Sequence, residues 1–79
     1  MINTEELRER LKVSSDEFAS MIGMTRQTLW NKERGLTPWT LPELIQVDEI
    51  MKQNGIEEHL TVSHDGDLYI VCIKKIIEE

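Results

Sequence analysis

Residues 14–35, SSDEFASMIGMTRQTLWNKERG, admit few folds, because two short helical patterns meet across a glycine with almost no chain between them. Ser14 or Ser15 can offer a hydroxyl to the open amides of a first turn, and Asp16 and Glu17 suit the positive end of its dipole. Phe18, Ala19 and Ile22 then form one apolar stripe at helical spacing. Gly23 follows at once, where a left-handed residue ends a helix and turns the chain sharply. Thr25 is placed to cap a second helix running to about Lys32, with Leu29 inward and Arg26, Gln27, Thr28 and Asn31 outward. Gly35 is its natural stop. Helices so briefly joined cross steeply, and Ala19 is small enough to admit the second against the first.

The flanks supply further helices. Upstream, Asn3 or Thr4 can cap a helix with Glu6 as the reciprocal partner of Asn3 and with Leu7 and Leu11 on its inner face. Downstream, Thr40, Leu41, Pro42 and Glu43 make a capping box with proline in the first turn, where its missing amide costs nothing. Leu44, Val47 and Met51 form that helix's inward stripe, and Asn54-Gly55 closes it.

After Gly55 the period changes. HLTVSHDGDLYIVCIKKII is rich in β-branched and aromatic residues, and Asp65-Gly66 between two such runs predicts a hairpin with strands near 59–63 and 68–74. A two-residue turn there sets Val62 opposite Tyr69 and Leu60 opposite Val71, with Leu68, Ile70 and Cys72 on the other face. A lone ribbon is barely stable in water, and an apolar edge strand invites another chain. The second strand, through Leu68, Tyr69, Ile70, Val71, Cys72 and Ile73, is therefore the expected dimerisation element.

Ala19, Gly23, Thr25, Leu29 and the Glu33-Arg34-Gly35 triplet resemble the helix-turn-helix of the Cro and phage-repressor family, the xenobiotic-response-element type, over roughly residues 4–55. EELRERLKVS is similar to that family's first helix, and TPWTLPELIQVDEIMKQNG resembles its proline-containing loop and following helix. Two positions depart from the pattern: Ser15 stands where the family often has glutamine on a phosphate, and Lys32 where an apolar residue is usual. The expected fold is mainly α with a C-terminal β-hairpin: a four-helix Cro/repressor-like domain over residues 1–56 and a two-stranded dimerisation ribbon over 57–79. The resemblance implies a dimeric transcriptional regulator, a repressor of phage or mobile-element type, on an inverted-repeat operator in double-stranded DNA.

Within that reading Arg26, Gln27 and Asn31 are the base readers, since arginine forks onto guanine and glutamine or asparagine onto adenine, each pair giving roughly 1–3 kcal/mol of discrimination. Lys32 and Arg34 suit phosphate, although Arg34 can instead pair with Glu33 or another acid. Thr25 is first a cap and second a phosphate contact; Thr28 and Ser15 complete the candidate surface. Trp30 suits either packing or a thymine methyl.

Charge limits how such a surface can work. Fifteen acidic and nine basic residues give a net charge of −6, yet residues 21–40 hold Arg26, Lys32 and Arg34 against Glu33 alone. Few phosphate contacts per subunit and reliance on a second copy are expected. The same acidity suits an alternative, a protein-interaction module of antirepressor type without DNA binding. A toxin-blocking antitoxin, with a toxin or other regulator as protein partner, is another. A recombination directionality factor or MerR-like module, which TLWNKERGLTP also resembles, is a third, opposed by the complete helix before the motif.

Other chemistry finds little support. His59, His64 and Cys72 lack tight ligand spacing and a fourth partner, so no metal is expected. No nucleophile and base flank a pocket in so short a chain, so neither an enzyme nor a cofactor is expected. One cysteine allows no internal disulfide, and no apolar run approaches a membrane span or a signal peptide, so the expected setting is cytoplasmic.

Overall fold

A computed structural model describes residues Met1–Val71. It contains four helices and a three-stranded mixed sheet. In chain order these are β1 (Ile2–Asn3), α1 (Thr4–Leu11), α2 (Ser15–Met21), α3 (Arg26–Glu33), α4 (Leu41–Gln53), β2 (Leu60–His64) and β3 (Asp67–Val71).

Each helix starts where its cap dictates. Asn3 Oδ1 accepts the Glu6 amide at 2.8 Å, Ser14 Oγ accepts the Glu17 amide at 3.1 Å, and Thr25 Oγ1 accepts the Thr28 amide at 3.2 Å. At α4 the Thr40 amide donates to the Glu43 carboxylate at 2.8 Å, the reverse half of a capping box. Gly23, at φ +72°, supplies the left-handed residue between α2 and α3, and only residues 22–25 separate the two helices.

The predicted inward stripes meet in one core. Leu7, Phe18, Ala19, Ile22, Leu29, Leu44, Val47 and Met51 are buried there, joined by Ile50, Leu60 and Ile2. Leu60 lies in β2, so the C-terminal strands share the core of the helices.

The hairpin keeps its predicted register, with Leu60 opposite Val71 and Val62 opposite Tyr69. Asp65 at φ +53° and Gly66 at φ +83° form its two-residue turn, the doubly left-handed turn that matches strand twist. The expected two-stranded ribbon is nevertheless a three-stranded sheet. β1 pairs in parallel with β2, Ile2 against Leu60 and Asn3 against Thr61, and the Ile2 amide donates to the His59 carbonyl at 3.0 Å. A strand of two residues has no periodicity to read, and its partner lies at the other end of the chain. With β1 on one side of β2, β3 is the edge strand on the other.

The hairpin also grips the end of α3. The Asp65 amide donates to the Gly35 carbonyl at 2.9 Å, and Gly35, at φ +78°, lies so close that a Cβ there would sit 3.3 Å from Ser63 Oγ. Among the described residues no helix is long and apolar enough to cross a membrane.

Candidate functional site

α3 separates its residues cleanly. Leu29 is fully buried, while Arg26, Gln27 and Trp30, with Arg34 just past its end, are exposed and Asn31 and Thr28 half-exposed. The outward residues stand at 26, 27, 30, 31 and 34, the i, i+3, i+4 spacing of one helical face.

Neighbouring contacts organise that face. Gln27 Nε2 donates to Asn31 Oδ1 at 3.2 Å, one turn further along. The Arg34 guanidinium lies 4.8 Å from the centroid of the Trp30 ring, so Trp30 is an exposed platform rather than a core residue. Trp39, by contrast, is half-buried and packs against the core.

Two candidate residues sit elsewhere than their types suggested. Lys32 is buried, its ammonium 2.9 Å from the Glu43 carboxylate and donating to the Pro38 carbonyl at 2.8 Å, with the Trp39 ring centroid 5.8 Å away. It stands three residues after Leu29, on the inward face, and its charge is met from α4, so it is not part of the exposed surface. Burial pushes the Glu43 carboxyl up, but bonds from the Thr40 amide and from Lys32 outweigh it and hold the group below the ordinary carboxylate range. Ser15 is half-buried, and its Oγ accepts from Arg8 Nη1 at 3.0 Å instead of facing outward.

Arg8 and Glu33 form a pair that sequence spacing does not announce. Arg8 meets the Glu33 carboxylate with Nε at 3.2 Å and Nη2 at 3.0 Å, and the buried Thr4 hydroxyl donates to the same carboxylate at 2.7 Å. The Glu33 side chain is only 7% exposed. The triplet Glu33-Arg34-Gly35 thus divides its work: Glu33 ties α3 to α1, Arg34 faces out, and Gly35 receives the hairpin. A pair 25 positions apart leaves no periodic signal in the chain.

A groove of about 440 Å³ is lined by Glu5 and Arg8 of α1, Ser15 of α2, Arg26, Gln27 and Trp30 of α3, and Arg34 just past its end. Its rim arginines are loosely held. Arg26 lies 3.7 Å from Asp16 and Arg34 3.8 Å from Glu5, all four side chains at least half exposed. Exposed pairs at this distance contribute about 0–1 kcal/mol and exchange readily for another anion.

On β3, Leu68, Tyr69 and Ile70 are exposed, whereas Val71 is half-buried and packs on the core opposite Leu60. Cys72 and Ile73, also expected in the dimerisation strand, lie outside the described residues. Among the described residues no three His, Cys, Asp or Glu side chains gather as metal ligands; His64 instead lies 3.1 Å from Asp65. Compared with known protein families, curated proteins and solved structures, the chain matches none.

Proposed function

We propose that this protein is a sequence-specific DNA-binding transcriptional regulator, in which α2 and α3 act as a helix-turn-helix that lays α3 in the major groove. One observation carries the reading: within a chain of net charge −6, the outward face of α3 holds arginines, amides and an aromatic platform, while its single carboxylate, Glu33, is turned inward to Arg8. A helix about 10–12 Å across fits a major groove about 12 Å wide. Arg26 and Gln27 reach base edges, and Arg34, carried on Trp30, meets a phosphate. Thr25 and Thr28, at the start of α3, stand where helix amides favour a phosphate.

Two exposed arginines provide little affinity for a polyanion, so the protein acts as a homodimer. The free edge of β3, with Leu68 and Ile70 exposed, joins a second copy and presents two copies of α3 to half-sites roughly 34 Å apart. Occupation of such a site covers a promoter, which is repression of the kind used by Cro-like regulators of phage or mobile elements in the cytoplasm.

Selection from a randomised duplex pool at low salt, followed by fluorescence anisotropy, tests the reading. Saturable binding to an inverted repeat, lost in Arg26→Ala/Gln27→Ala, is the expected result. A wild-type chain that binds no duplex at low salt refutes it and favours an acidic protein-interaction module.

A further inference from the structure

We propose that Gln27 and Asn31 read DNA as one coupled unit, in which Asn31 orients the Gln27 amide to select an adenine. The inference rests on the DNA-binding reading above and names what that surface recognises.

A lone, exposed glutamine can turn its amide either way, so it can donate to guanine or thymine acceptors as readily as it grips adenine. Here that freedom is removed. Gln27 Nε2 donates to Asn31 Oδ1 at 3.2 Å, which fixes which end of the glutamine amide faces which way along the helix. Asn31 is half-buried, and the backbone that carries its side chain is fixed by the turn that closes α3, where its carbonyl accepts the Leu36 amide at 2.9 Å.

The bond leaves a defined set of free groups. Gln27 keeps one Nε2 proton and the whole of Oε1, and Asn31 keeps both Nδ2 protons and one lone pair of Oδ1. Adenine presents N7 as acceptor and N6–H as donor on its major-groove edge, which Gln27 meets with Nε2–H and Oε1. The Asn31 amide keeps both donors and one acceptor lone pair, so it can meet any adjacent base pair, and the selection lies in the orientation that it imposes on Gln27.

The test measures wild type, Gln27→Ala, Asn31→Ala and the double variant against duplexes with two adjacent half-site positions fully varied. Wild type should favour the adenine by about 5- to 150-fold. Asn31→Ala should flatten the adenine preference although Gln27 remains, and the double variant should discriminate no worse than either single one. Gln27→Glu should move the preference from adenine to cytosine, because a carboxylate accepts from cytosine N4. Unchanged melting temperature and unchanged affinity for non-specific duplex in Asn31→Ala separate this role from a merely structural one. If wild type binds selectively but Asn31→Ala keeps the adenine preference, or the two single losses add, the coupled unit is wrong while DNA binding stands. If wild type binds no duplex, the DNA-binding reading falls, and this inference with it.

Discussion

Replacing Glu33 with leucine should be among the most damaging single changes in the helical part of the protein. The substitution removes the acceptor for two Arg8 bonds, at 3.2 and 3.0 Å, and for the Thr4 hydroxyl at 2.7 Å. Arg8 is left with Ser15 and with a side chain only 19% exposed, and Thr4 is buried. Breaking a buried pair from one side costs about 3–5 kcal/mol, and the residual solvent access of Arg8 argues for the lower end, about 3 kcal/mol. A chain of 79 residues at roughly 0.05–0.15 kcal/mol each holds about 4–12 kcal/mol in all, so the loss is a large share of it. Urea unfolding followed by circular dichroism measures it, and the melting temperature should fall by roughly 12–24 °C. Should the leucine variant not fold, Glu33→Gln, which keeps one acceptor and loses the charge, should cost about 2 kcal/mol. The decisive comparison is Arg8→Met/Glu33→Leu. With both charges gone, no uncompensated ion remains, and the double variant should be more stable than the sum of the singles by at least about 2 kcal/mol. Additivity within about 0.5 kcal/mol would refute the argument that the pair joins α1 to α3 as a unit.

Three further outcomes follow from the same geometry. The Glu43 carboxyl is held below its ordinary value in the fold and returns to it on unfolding, so its contribution is complete above about pH 4.5 and is lost as pH falls through the lower, folded value. Lys32→Met removes one source of that lowering; the drop in urea midpoint between about pH 6 and pH 3 should therefore shrink, and an unchanged drop would show that Lys32 does not govern Glu43. Gly35→Ala should destabilise more than Gly66→Ala, by about 2 against about 1 kcal/mol. Both have positive φ, but a Cβ at Gly35 meets Ser63 Oγ at 3.3 Å and the His64 backbone at 3.4 Å, whereas Gly66 opens onto free space; thermal melts giving equal losses would contradict the close approach. Ile70 is 61% exposed on the edge strand, so Ile70→Lys should alter monomer stability by no more than about 0.5 kcal/mol yet shift the mass in sedimentation equilibrium from dimer to monomer. An unchanged mass would remove β3 as the joining edge.

Locally encoded features are legible in the chain itself. Ser14, Thr25 and Gly23 act on amides and backbone within a turn of themselves, and Asp65-Gly66 sets the register of Leu60 with Val71 through a two-residue loop. The exposed positions of Arg26 and Gln27 follow from the spacing of Leu29 in the same helix. That of Trp30 does not: an aromatic side chain suits core or surface, and Arg34 stacking on it at 4.8 Å makes the choice.

What the sequence by itself determined, then, is the set of helices, the turn between α2 and α3 and the hairpin, because each depends on contacts three or four residues apart or on one turn's backbone. Tertiary structure alone decided the rest. It paired Ile2 with Leu60 to make a third strand, turned Lys32 inward because Glu43 and the Pro38 carbonyl waited there, and withdrew Ser15 and Glu33 to Arg8. Those outcomes depend on which charges and edges from distant segments arrive at the same place. No periodicity along the chain carries that information, since the free energy of burying an ion or an edge is set by the partner it finds.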